Sequence, residues 1–361
     1  MRLAPNFLES PNGITANGLT ARPADEGMNP SIDIHAHAIV PEAEAIARKD
    51  PAWSRANEET ARATGEASTE RNRILMTTVY RQKFADVDVR LRAMDAMRID
   101  IQAVSPAPFY HYWADREPAS KIVTSTNEGI AALCAQQPNR LVGLAMLSMQ
   151  HPQLAVVQLD HAIQTLKLKG AIISTHVNEL ELAHPQYDPL WSRAEELGAL
   201  IFLHPAGCTL GERTSPFYFS NLIGNPADTT IALAHLVFGG VFDRFPRLKL
   251  CAAHGGGYFP FYASRFDHGW RVRPESHTCK EAPSNYLRRI YFDSLVYSPD
   301  QLEFLVRRAG AGQIAIGTDY PFDMGVEDPI ERLEAATGLS GEDRAAIRGG
   351  NAARLLNIGP N

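Results

Sequence analysis

Eight short, mostly apolar runs recur along this chain, at residues 31–38, 99–105, 141–147, 170–175, 199–204, 248–254, 289–293 and 313–317. Such runs read as strands buried on both faces, which is the state of parallel strands covered by crossover helices. Helix-forming stretches separate most of them. Asp86 caps one in which Val87, Leu91 and Met94 recur at helical spacing, and others fall near 118–136, 153–168, 189–197, 229–242, 299–308 and 341–356. Right-handed crossovers wrap such helices outside one closed sheet, so the pattern predicts the α/β class and a (β/α)8 TIM barrel. An open doubly wound sheet is the alternative. No G-x-G-x-x-G turn follows the first strand, however, and this weakens a dinucleotide-binding reading.

The barrel is expected over 31–361, with a small insertion after strand one at about 41–80 that covers one mouth. The insertion is rich in Ala, Glu, Arg and Thr and ends in a β-like run at 74–80. Residues 1–30 mix Pro, Gly, Asn and charges and read as a loose N-terminal arm; Met28 is the expected natural start, which an intact mass retaining residues 1–27 would reject. The arm has no apolar stretch of seven or more, so neither a signal peptide nor a membrane partner is expected. Thirty-five basic and 41 acidic residues, for a net charge of -6 without a Lys/Arg-rich run, argue against nucleic acid. Cys134, Cys208, Cys251 and Cys279 lie far apart with no Cys-x-x-Cys pair, which argues against a zinc finger or disulfide framework and fits a reducing cytoplasm.

Barrel active sites lie at the C-terminal ends of the strands. Strand one ends in Asp33-Ile34-His35-Ala36-His37, and alternation puts Asp33, His35 and His37 on one face. Two imidazoles about 7 Å apart along a strand converge on one ion, each at about 2.0–2.1 Å, only if the chain bends there. Alone, the pair reads equally as polar histidines at a strand end. Strand five, however, ends in His204, strand six in His254 and strand eight in Asp319. Turn residues follow each of the three (Pro205, Gly255-Gly256-Gly257, Tyr320-Pro321), which places them on the rim. Three imidazoles and a carboxylate suit Zn²⁺, with Mn²⁺ or Fe²⁺ as alternatives. His161 and His235, inside helices, read as ordinary surface or core residues.

The stretches D-I-H-A-H, L-H-P, L-K-L-C-A-A-H-G-G-G-Y-F-P-F and I-G-T-D-Y-P-F, with T-H-V-N-E, N-P-A-D-T-T-I-A and G-G-V-F-D-R-F-P-R-L-K, resemble the amidohydrolase superfamily, specifically its decarboxylase branch. The resemblance runs from about Ile32 to Leu356. It implies one divalent metal, Zn²⁺ first and Mn²⁺ second, held by His35, His37, His204 and Asp319, with no organic cofactor. It also implies that His254 is the acid/base beside Asp319, with a histidine held in a packed strand end as the bland alternative. Arg81 and Arg265 would bind substrate carboxylates through paired hydrogen bonds, Arg265 reaching into a neighbouring subunit of a homodimer; surface ion pairs are the alternative for both. Phe109, Tyr112 and Trp113 would line the pocket or pack as aromatics. Asp33 would orient a ligand or shape a turn. The three glycines after His254 would let backbone approach a ligand closely.

Two departures bear on the substrate and the metal count. Ala206 stands where relatives carry a tryptophan after the strand-five His-Pro, so a large pocket wall is missing. His176, not lysine, occupies the end of strand four, which fits a single metal. The expected reaction is non-oxidative decarboxylation of an amino- or hydroxy-substituted aromatic acid or a muconate semialdehyde, a small-molecule carboxylate in aromatic catabolism. Metal-dependent hydrolysis of a lactone or ring-cleavage product is the alternative. A non-catalytic binding protein is the third reading, disfavoured because the full ligand set and His254 are present.

Overall fold

The computed structural model describes residues 30–206 and 209–359; residues 1–29 of the expected arm, Met28 among them, and Cys208 lie outside the described residues. Strand β1 (Ile32–Ala38) is buried at every position and pairs in parallel with β2 (Ile101–Pro106), His37 standing opposite Ser105. The third strand is broken at Leu144. Its first part, β3 (Leu141–Gly143), pairs with β2, and its second, β4 (Ala145–Met146), pairs with β5 (Gly170–Ile173). After a small antiparallel hairpin, β6 (His176–Val177) and β7 (Leu180–Glu181), the parallel order continues through β8 (Leu200–Leu203), β9 (Lys249–Ala252), β10 (Tyr291–Asp293) and β11 (Ile314–Ala315).

The segment after β11 closes the cylinder on β1. Asp33 bridges to Ile316 and Ala36 to Tyr320, and the Ile34 and His37 amides donate to the Ile316 and Tyr320 carbonyls at 2.8 and 2.7 Å. With β3 and β4 taken as one strand, eight parallel strands surround the centre, so the (β/α)8 barrel is the observed fold.

The helices in chain order are α1 (Pro41–Ala47), α2 (Pro51–Thr64), α3 (Glu66–Leu75), α4 (Arg81–Ala85), α5 (Val87–Ala96), α6 (Arg116–Ala135), α7 (Pro152–Gln164), α8 (Asp188–Leu197), α9 (Asn225–Phe238), α10 (Val241–Arg244), α11 (Phe259–Val272), α12 (Pro299–Ala309), α13 (Pro329–Ala335), α14 (Gly341–Ala345) and α15 (Asn351–Leu356). Asp86 caps α5 as expected, accepting from the Val89 amide at 3.0 Å. Among the described residues no helix is long and apolar enough to cross a membrane.

The insertion differs from its expected form. Residues 41–75 are three helices, and the run at 74–80 continues α3 as a wide π turn (Met76–Tyr80) rather than a strand. Its β-branched residues favour strands, but the Thr77 and Thr78 hydroxyls bond back to the Ile74 carbonyl at 3.0 and 2.7 Å. Leu75, Tyr80 and Phe84 bury together against Ala107, which fixes the helical path. Helices α11 and α13 were not anticipated either; α11 begins only a few residues past the glycine turn.

Candidate metal centre and active site

The paired β1–β2 register is irregular between Asp33 and Ala36, and this is the bend the His-x-His spacing required. It brings the Nε2 atoms of His35 and His37 within 3.2 Å of each other. Asp319 Oδ1 lies 3.2 Å from His35 Nε2 and 3.1 Å from His37 Nε2. The His204 ring stands 4.9 Å from both of those rings, and the His254 ring 5.0 Å from that of His204. The five strand-end residues thus meet at one place.

The outer nitrogens decide what the inner ones offer. His35 Nδ1 contacts Asp293 Oδ2 at 2.6 Å, and His204 Nδ1 contacts the Pro205 carbonyl at 2.7 Å, so both Nδ1 atoms carry the proton. His37 Nδ1 lies 3.0 Å from Ser105 Oγ, whose own proton goes to the Ala36 carbonyl at 3.0 Å; the hydroxyl therefore accepts from His37. Three Nε2 lone pairs and a carboxylate then face one another in a buried space, and His204 Nε2 and Asp319 Oδ1 have no hydrogen-bond partner. Lone pairs so arranged repel unless a cation sits between them, so the donor set fits a divalent metal.

Burial and the neighbouring imidazoles push His204 well below its ordinary range, which keeps it neutral and able to ligate.

His37 and His254 compete for the same place. Ligand atoms of His35, His204, His254 and Asp319 lie within 4.8 Å of one another, while His37 Nε2 stands 3.2 Å from His35 Nε2 and 3.1 Å from Asp319 Oδ1. The two imidazoles are held differently. His37 is fully buried with Nδ1 fixed, whereas His254 is partly exposed, its Nδ1 has no partner, and its Nε2 faces Asp319 Oδ2 at 3.6 Å. A fixed ring suits ligation, and a ring with a free nitrogen suits proton transfer.

Two carboxylates hold the segments around the centre. Asp293, at the end of β10, was not anticipated; beyond His35 it accepts from the His254 and Gly255 amides at 2.9 and 2.7 Å. Asp33 turns away from the centre and accepts from the His35 amide, the Gln102 side chain and Thr318, which favours the orienting role.

The glycine turn has a cause within the chain itself. His254, Gly255, Gly256 and Gly257 all have left-handed φ, and a Cβ at the glycines would meet Val296, Phe292 or the Pro226 carbonyl within 2.6 Å. Glycine is required there by packing within the chain.

A cavity of about 1870 Å³ opens above the centre. His204, His254 and Asp319 line it, as do Arg81, Phe109, Trp113 and Ala206. Tyr112 does not. It is buried, stacked on Tyr110 at 5.3 Å with its hydroxyl accepting from the Ser174 amide, and Tyr110 takes its place in the wall. Arg48, on the Trp53 ring at 5.5 Å, also lines the cavity and was missed because nothing in the insertion's composition sets it apart from its neighbours. Arg265 lies outside, exposed on α11, and His176 belongs to the β6–β7 hairpin, also outside.

Residues 32–358 match the amidohydrolase family, and the chain belongs to it. Within that family it falls among the carboxy-lyases, which remove CO2 without redox chemistry, and this sets aside the hydrolase alternative. It is 36% identical over 279 residues to 2-amino-3-carboxymuconate-6-semialdehyde decarboxylase of Dictyostelium discoideum, covering 76% of this chain and 78% of that one. To gamma-resorcylate decarboxylase of a Rhizobium strain it is 28% identical over 286 residues, covering 75% and 87%. The crystal structure of 5-carboxyvanillate decarboxylase from Sphingomonas paucimobilis superposes with a TM-score of 0.78 at 23% identity, covering 91% of this chain and 99% of that one, and shares the fold.

Proposed function

We propose that this protein decarboxylates an amino- or hydroxy-substituted aromatic acid, or a muconate semialdehyde, using one divalent metal held by His35, His37, His204 and Asp319. Zn²⁺ is the first choice from the nitrogen-rich donor set, and Mn²⁺ the second, because a related dihydroxybenzoic acid decarboxylase from Polaromonas has been crystallised with manganese. Bound there, the ion supplies positive charge that steadies negative charge on substrate oxygens. The observation that carries the reading is the meeting of three imidazole Nε2 atoms and Asp319 at a cavity whose wall also bears His254 and Arg81.

Arg81 holds a substrate carboxylate by two parallel hydrogen bonds and sets the reacting carbon toward His254. His254 Nε2 delivers a proton to the carbon that bears the leaving carboxylate. The C–C bond then breaks, CO2 departs, and the bonding electrons return to the unsaturated system. The product carries hydrogen in place of the carboxylate, and His254 is reprotonated from water. Asp319 Oδ2, at 3.6 Å, stabilises the charged imidazole.

The assembly is a homodimer in which Arg265 enters the partner's cavity. Support comes from the exposed apolar side chains of Phe217, Leu222, Ile223, Ile231, Tyr258 and Tyr262, carried on segments two of which are joined where the Tyr258 amide donates to Thr230 Oγ1 at 2.8 Å. Cys134, Cys251 and Cys279 are buried free thiols, which supports a reducing compartment such as the cytoplasm.

The test is CO2 release by metal-loaded protein across ortho-amino and ortho-hydroxy benzoic acids and an aminocarboxymuconate semialdehyde. Release from at least one acid, abolished by removing the metal, is expected. Fully metal-loaded protein that releases none from any of them overturns the reading.

A further inference from the structure

Arg90 is a fully buried cation on α5, and among the described residues no carboxylate lies within ion-pair distance of it. Burying an unpaired charge costs several kcal/mol, so its contacts must account for its presence. Nη1 donates to Gln102 Oε1 at 2.7 Å, Nη2 donates to the His37 carbonyl at 2.6 Å, and the guanidinium lies 4.9 Å from the Tyr320 ring centroid. Because Gln102 accepts from Arg90 through its oxygen, its amide nitrogen points the other way and donates to Asp33 Oδ2 at 2.9 Å.

Asp33 passes the connection on. Its Oδ1 accepts from the His35 amide at 2.9 Å and the Thr318 amide at 3.1 Å, and its Oδ2 accepts from the Thr318 hydroxyl at 2.6 Å. Arg90 and Asp33 are thus a buried ion pair with a neutral amide inserted between them. Four of the relay's six hydrogen bonds end on a ligand residue or on a neighbour of one: His35, His37, and Thr318 beside Asp319.

We infer that Arg90 is a positioning residue for the metal centre, its guanidinium fixing, through the His37 carbonyl and the Gln102–Asp33 relay, the strand ends that carry His35, His37 and Asp319. The inference rests on the proposed metal reading. Lysine at this position keeps the charge but cannot make both forked bonds, whereas leucine at 102 leaves Arg90 in place and cuts the relay.

The experiment compares wild type with Arg90→Lys and Gln102→Leu in three measurements: metal affinity by chelator competition, the visible absorption of the Co²⁺-loaded protein, and the melting temperature of the metal-free protein. Both variants are expected to bind metal about 10–100-fold more weakly with an altered Co²⁺ spectrum. Variants that melt lower without metal yet keep wild-type affinity and spectrum overturn the positioning role, leaving Arg90 a stability residue. If Arg90→Lys does not fold, Gln102→Leu decides alone. Wild type that takes up no divalent ion overturns the metal reading itself and this role with it, an outcome distinct from unaltered variants of a metal-binding wild type.

Discussion

His35 Nδ1 and Asp293 Oδ2 lie 2.6 Å apart although 258 residues separate them in the chain. The same carboxylate accepts the amides of His254 and Gly255, so one side chain sets the tautomer of a candidate ligand and anchors the left-handed turn that presents the candidate acid. The candidate ligand and the candidate acid are thereby held in one frame.

Replacing Asp293 with Asn tests that coupling. An amide cannot serve as acceptor for the imidazole and both amides at once, so His35 loses its fixed tautomer and the turn loosens. Metal affinity or turnover is expected to fall about 10–100-fold. Metal content by elemental analysis, read beside CO2 release, checks it, and a variant with wild-type values in both would show that the contact is incidental.

His254→Asn separates acid from ligand. If His254 moves the proton, CO2 release falls by about 10²–10⁴ while bound metal stays at one ion per chain. Loss of the metal along with activity would instead place His254 in the coordination set, in the position assigned here to His37.

Stability should depend on pH through His111. Burial pushes its pKa down from 6.5 to about 4, and Glu44, 4.0 Å away, is a partly buried neighbour. The folded protein keeps His111 neutral, so between these values the unfolded chain binds the extra proton. The contribution is complete above pH 6.5 and drains away as the pH falls toward about 4, on the order of 3 kcal/mol at most. Urea midpoints at several pH values should fall across this window in wild type and less steeply in His111→Gln. Parallel profiles for the two proteins would rule this source out.

The barrel and the five strand-end residues were legible because two simple signals coincide: short buried runs, and a chemically distinctive residue before each turn. Asp293 ends its strand as the candidate ligands do, but nothing in its local sequence ties it to His35, and only barrel closure brings the two together. The 74–80 run misled because its β-branched composition says nothing of the threonine bonds that extend α3. Tyr110 and Tyr112 could not be told apart, since which ring meets the cavity depends on stacking and on the Ser174 amide. The glycines after His254 were read as making room for a ligand, and their neighbours Val296, Phe292 and Pro226 come from other segments that the local sequence does not name.

Ala206 is where the substrate should be decided. It follows His204-Pro205 at the cavity wall, where the family resemblance leads one to expect tryptophan. A tryptophan there would fill space close to His204 without touching the outer hydrogen bonds of the ligands. Ala206→Trp should therefore keep its metal and its activity on small single-ring acids, while kcat/KM for bulkier ring-substituted acids drops about tenfold or more, as expected when pocket volume is lost. The measured quantity is the ratio of kcat/KM for a small and a bulky acid in the two proteins. If that ratio does not move, the wall at 206 does not touch the substrate, and selection must come from the insertion side of the cavity, where Arg48 and Trp53 stand.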